Sequence, residues 1–170
     1  RISKILMVMV DVQTLQELIE EEIRKYSIRW DKTSPLNLYQ PVSYAMKAGG
    51  KRIRPLLVLL AHQLFAEKPE TAVNAAIAIE LFHNFTLLHD DIMDKAEMRR
   101  NQPSVHIRYN ENTAILSGDV MAFLAYGLLT EIPARRTIDV ITLFTLTARE
   151  ICEGQQMDMD FETRMDVTSD

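Results

Sequence analysis

Leu81 to Asp94, LFHNFTLLHDDIMD, ends in three aspartates, Asp90, Asp91 and Asp94, on a run whose apolar spacing is helical. At 100° per residue, Asp90 and Asp94 fall about 40° apart, one turn along the same face. Two carboxylates so placed suit a hard cation such as Mg²⁺, which takes oxygen ligands and keeps positions open for phosphate oxygens. Thr86 and His83 lie on nearly the same stripe one and two turns before Asp90, while Phe82, Phe85, Leu87, Leu88 and Ile92 fill much of the remaining surface. A helix that is apolar on most sides belongs in an interior, and a carboxylate buried with it needs a compensating charge. Read by themselves, these aspartates are also the solvated face of a surface helix and His83 a hydrogen-bonded core histidine. The rest of the chain decides between the two.

With 170 residues, 47% of them hydrophobic, the chain has enough apolar surface for one core. A net charge of −5 argues against a general nucleic-acid binder, which holds phosphate backbones with clustered Lys and Arg. The basic residues that do cluster, Lys51, Arg52 and Arg54, then Arg99 and Arg100, are local, and point to a small anionic ligand. A single cysteine, Cys152, forbids an internal disulfide and fits a reducing, cytoplasmic setting. The apolar run Ile5–Val10 is too short to span a bilayer, so residues 1–9 read as a tail, and no stable membrane insertion is expected of residues 10–170.

In chain order, Val12, Leu15, Leu18, Ile19, Ile23 and Tyr26 repeat at helical spacing to Trp30. A second helix is expected from about Leu36 to Ala48, ended by Gly49-Gly50, and a third from Leu56 to Phe65 with Leu56, Leu57, Leu60 and Leu64 inward. Pro69-Glu70 opens the aspartate-bearing helix, and Lys95–His106 reads as a polar loop. Asn112 or Thr113 caps a fifth helix that Gly118 interrupts, and Pro133 starts a long sixth reaching about Thr163. No strand-like alternation is visible. The fold class is all-α, helices packed antiparallel through short loops.

Three motifs stand in this frame: GGKRIRP at 49–55, HNFTLLHDDIMDKAEMRR at 83–100 and EGQQMDMDFE at 153–162. Together they resemble the trans-isoprenyl diphosphate synthases (polyprenyl synthetases), with DDIMD matching the first aspartate-rich motif of that family. The resemblance covers about Val12 to the end and implies an antiparallel bundle of the isoprenoid synthase type, incomplete in this chain. It implies Mg²⁺ held by Asp90 and Asp94 against the diphosphate of an allylic substrate, with Asp91 supporting the site and Arg99 pairing with that diphosphate. Lys51, Arg54, His83 and Arg100 would bind the diphosphate of isopentenyl diphosphate, the second substrate. Gln155 and Asp158 would help shape the allylic site, and Phe85 and Thr86, just upstream of the aspartates, would set product length in the geranylgeranyl or farnesyl class. A homodimer with one site per subunit is also implied.

The chemistry asks for these residue types. Diphosphate leaves readily only when its developing charge is neutralised, which cations and guanidinium groups do; Arg offers planar paired donors and keeps its charge. The family's second aspartate-rich motif and Lys-Thr element are absent from this sequence, so these 170 residues are expected to be inactive by themselves and to expose apolar surface. Three rivals remain. A terpene cyclase shares DDxxD but has no use for GGKRIRP or Arg100. A carboxylate-bridged di-iron bundle would use Glu80-x-x-His83 but requires a second such pair. A non-catalytic prenyltransferase-like subunit would pair with a complete partner.

Overall fold

The computed structural model describes residues 11–132 and 134–162. They divide into two units, one ending at Ile132 and the other following it in sequence, each described by itself.

In the first unit, Asp11 caps α1 (Val12–Trp30), its carboxylate accepting from the Gln13 N–H, so one orphan donor of the first turn is satisfied. Leu15, Ile19, Ile23 and Trp30 form its buried stripe. Pro35 opens α2 (Leu36–Lys47), which continues through Pro41 and buries Val42, Ala45 and Met46. The chain then passes Gly49 and Gly50, both at positive φ, into α3 (Ile53–Gln63). Here the apolar run was misleading: α3 starts earlier than expected and buries Pro55 and Leu59, while Leu57 and Leu64 are exposed. Leu56, Leu57 and Leu60 surround the true inward stripe, which is spaced i, i+4.

A 3-10 turn at Pro69–Ala72 leads into α4 (Val73–Met93), the central helix of the unit. Ala76, Ile77, Ala78 and Leu81 are wholly buried on it, and the small residues allow close helix approach. After α4 the expected loop contains a short hairpin, β1 (Met98–Arg99) paired antiparallel with β2 (Gln102–Pro103). Its two turn residues, Arg100 and Asn101, have φ of 50° and 63°, the handedness of a tight hairpin turn. Strands of two residues carry no alternation for sequence reading to detect. One turn of helix, α5 (Val105–Arg108), follows.

Asn110, not Asn112 or Thr113, caps α6 (Glu111–Thr130) by accepting from the Thr113 N–H at 2.8 Å. Gly118 does not interrupt α6; it is buried within it, against α4. The segments 69–93 and 111–130 are long and apolar enough to cross a bilayer, yet α4 buries Glu80, Asn84 and Asp91 in the packed interior. Exposed apolar side chains, as expected, include Leu116 and Phe123 on α6. The second unit contains α7 (Ala134–Phe161), which runs through Gly154 without a break. The expected tail, residues 1–9, lies outside the described residues.

Candidate functional site

The three aspartates divide between two environments at the C-terminal end of α4. Asp91 is buried at 2% exposure, Asp90 is half-buried, and Asp94 is the exposed C-cap. The Asp94 N–H donates to the carbonyls of Asp90 and Ile92, which fixes the backbone that carries both outer carboxylates. Arg99, on β1, compensates the buried charge: its Nε donates to Asp91 Oδ1 at 2.9 Å and its Nη2 to the same oxygen. That hydrogen bond, helped by the charges of Asp90 and Asp94, raises the Arg99 pKa further above its usual value. Arg99 is a permanent cation anchored on Asp91, with Nη1 outside that pairing.

Beside this end of the helix, Gly50, Lys51, Arg54, His83 and Arg100 line a cavity of about 350 Å³, together with Arg52, Ile53 and Glu80. Arg54 Nη1 lies 3.1 Å from His83 Nε2. A guanidinium has no acceptor, so Nε2 accepts and the imidazole proton sits on Nδ1. Burial lowers the His83 pKa first, the Arg54 charge second, with Arg100 and Arg99 adding and Glu80 opposing. Arg100 donates from Nη1 to the Gly49 carbonyl. A Cβ on Gly50 would stand 3.0 Å from Arg100 Cζ, at a φ of 128°. Glycine is therefore needed at 50 on two counts, handedness and space.

The hairpin joins the two clusters. Arg99 feels the charges of Asp90 and Asp94, and His83 feels those of Arg99, Arg100 and Arg54. The cavity lining does not include Asp90, Asp94 or Arg99, so the carboxylates and the cations are adjacent rather than facing each other across one cavity.

Phe85 is half-buried, its ring centroid 5.4 Å from Phe82 and 4.8 Å from His89. The Thr86 hydroxyl donates to the His83 carbonyl at 2.8 Å, an intrahelical bond. Gln155 is half-exposed and Asp158 exposed, three residues apart on α7 in the second unit.

Several functional neighbours were not legible. Arg52 looked like one more loop cation but is 5% exposed and donates to Glu20, Glu80 and the Met46 carbonyl at 2.6–2.7 Å. Glu80 is thereby committed to Arg52, which removes it from the di-iron reading. Among the described residues no three His, Cys, Asp or Glu side chains converge as a metal cluster. His89 reaches the Ile115 carbonyl at 3.2 Å because Gly118 leaves it room; a glycine inside an apolar helix was the available signal.

An all-α bundle with paired carboxylates at a helix end beside a cationic cavity has the isoprenoid synthase architecture. The family model described as polyprenyl synthetase matches residues 35–170, and the chain belongs to that family. It is 44% identical over 138 residues to the geranylgeranyl diphosphate synthase of Methanosarcina mazei, covering 80% of this chain and 43% of that protein. It is 40% identical over 157 residues to the geranylgeranyl pyrophosphate synthase of Geoglobus acetivorans, covering 91% and 46%. A crystal structure of a geranylgeranyl pyrophosphate synthase superposes with a TM-score of 0.87 at 45% identity, over 93% of this chain and 47% of that one. The chain thus spans about half the length of the curated relatives it matches.

Proposed function

We propose that residues 10–170 are the N-terminal part of a single isoprenoid synthase domain in a short-chain trans-prenyltransferase. The full protein would join isopentenyl diphosphate to an allylic diphosphate, giving a product of the geranylgeranyl or farnesyl class. The observation that carries this reading is the cavity lined by Lys51, Arg54, His83 and Arg100 beside the carboxylate-bearing end of α4. A terpene cyclase has one diphosphate to hold and no use for a second cationic pocket.

Asp90 and Asp94 suit Mg²⁺ by donor chemistry: both are oxygen ligands on one helix face and both are accessible, whereas Asp91 is buried against Arg99. Magnesium takes few protein carboxylates and completes its shell with water and phosphate. When bound, it would neutralise charge developing on the allylic diphosphate. Arg99, held by Asp91, would orient its remaining donors toward the same diphosphate, and Gln155 and Asp158 would complete the shape of the allylic site. Lys51, Arg54, His83 and Arg100 would hold the second diphosphate through charge-assisted bonds, so that its carbon–carbon double bond is presented to the allylic carbon. Loss of the allylic diphosphate leaves an allylic cation, the double bond attacks it to form the new carbon–carbon bond, and the proton then lost passes to the released diphosphate. No side-chain nucleophile is needed. Phe85 and Thr86 would bound the growing chain. The names of the relatives, geranylgeranyl and geranylfarnesyl diphosphate synthases, support this class. We further propose a cytoplasmic homodimer with no nucleic-acid partner.

The test is product analysis by mass with the full-length protein, Mg²⁺, isopentenyl diphosphate and primers of increasing length. Condensation products of 15 to 20 carbons are expected of the farnesyl and geranylgeranyl classes. Cyclised hydrocarbon formed without isopentenyl diphosphate would replace the proposal with a cyclase.

A further inference from the structure

Arg52 departs from the other loop cations in every physical respect. Its backbone is left-handed, φ 48°, a conformation that L-residues adopt only when something else fixes it. Its side chain turns away from solvent, with 3% exposure, and reaches three separate elements. Nε donates to Glu20 on α1, Nη1 to Glu80 on α4 and Nη2 to the Met46 carbonyl at the end of α2. Glu80 is 2% exposed and also accepts from Asn84 Nδ2 at 3.2 Å. A buried carboxylate with a bound guanidinium and a second donor is fully compensated, and removing one member would leave an unpaired charge.

The neighbours of this group give it a consequence. Lys51 lies one residue before Arg52 and Arg54 two residues after it. Turning the backbone left-handed at 52 and drawing the Arg52 side chain inward leaves those two on the cavity rim, both exposed. Glu80 sits one turn before His83 on α4, so the clamp ties the loop to the helix that supplies the histidine. The remaining cations of the cavity repel one another, and among the described residues Glu80 is the one acidic member of its lining.

We propose that the Arg52–Glu80 pair, with Glu20 as its outer partner, is a positioning device for the second diphosphate: it does not touch substrate but sets the spacing of Lys51, Arg54 and His83 in the apo protein. This rests on the function proposed above and adds residues to it. Preorganised cations bind an anion without first overcoming their own repulsion or loop disorder.

The test compares full-length protein with its Glu80→Gln and Glu20→Gln variants. Inorganic pyrophosphate is titrated calorimetrically in chelator, so that the carboxylate site, without its cation, contributes nothing. Steady-state KM is then measured for each diphosphate with Mg²⁺. We expect Glu80→Gln to weaken pyrophosphate binding and raise the isopentenyl diphosphate KM about tenfold, with the allylic KM changed less than twofold. Glu20→Gln, at an exposed partner and therefore safe for folding, should produce the same selective change at two- to threefold. Unchanged pyrophosphate binding in both variants, or an equal rise in both KM values alongside a fall in melting temperature, overturns the clamp. Absence of condensation by the wild-type protein rejects the enzyme reading instead, and the pyrophosphate titration still reads the clamp separately.

Discussion

Arg99 places two donors on one oxygen of Asp91, a carboxylate buried at the end of the helix that also carries Asp90 and Asp94. The middle aspartate of the motif therefore holds an arginine, while Asp90 is half-buried and Asp94 exposed. Asp91→Asn keeps the shape and removes the charge, and should cost about 1–3 kcal/mol in urea unfolding. Arg99→Gln placed on top of it should cost less than it does in the wild-type background. Additive losses would show that the two side chains are not coupled.

Asp94 caps the C-terminus of α4, where the helix dipole already concentrates negative charge. A carboxylate there is unfavourable by about 0.3–1 kcal/mol until a cation arrives. Asp94→Asn should raise the melting temperature in chelator and abolish the rise produced by Mg²⁺. For Asp90→Ala, folding should be nearly unchanged, and the condensation proposed for the full-length protein should slow by about 10²–10³-fold or more. Scanning fluorimetry with and without Mg²⁺ reads the first pair of outcomes, product formation the second.

His83 has its pKa lowered from 6.5 by burial and by Arg54. Between the folded and unfolded values the unfolded chain binds more protons, so stability rises with pH across that window. The contribution is complete above pH 6.5 and declines as pH falls toward the folded value. His83→Asn should flatten the stability profile there, read as the difference from wild type. A diphosphate in the cavity acts in the opposite sense, favouring the imidazolium, so pyrophosphate binding should take up protons near neutral pH. Calorimetry in buffers of different ionisation enthalpy measures that uptake.

A Cβ at Gly118 would lie 2.5 Å from His89 Nε2 and 3.5 Å from a Phe85 ring carbon. Overpacking of about 1–3 kcal/mol then opposes about 1 kcal/mol of helix propensity gained from alanine. Gly118→Ala should be destabilising with His89 present and stabilising in a His89→Ala background. The sign change in denaturant midpoints is the diagnostic.

Phe85 is held between Phe82 and His89. If its ring closes the end of the prenyl cavity, Phe85→Ala should lengthen the product by at least one five-carbon unit. An unchanged mass distribution would remove the product-length role.

The sequence made α4 legible because a long apolar period ran into a cluster of aspartates, and Gly49 and Pro69 marked boundaries of the helices near them. It concealed the inward face of α3, whose leucines occupy several faces of one helix while only Pro55 and Leu59 are buried. In Lys51-Arg52-Ile53-Arg54 nothing distinguishes the cation that turns inward from the two that do not. Backbone handedness makes that distinction. The same holds at Arg100-Asn101, whose turn has neither Gly nor Pro to announce it.

Left-handed backbone at Arg52, Arg100 and Asn101 has a consequence for anyone altering this protein. Each such position disfavours β-branched replacements by sterics alone, before any ligand is considered. A redesign that kept every positive charge but regularised the two loops would retain the composition of the cavity and lose its shape. The form of the cationic cavity is thus inherited partly through chirality of the main chain, which no tally of lysines and arginines records.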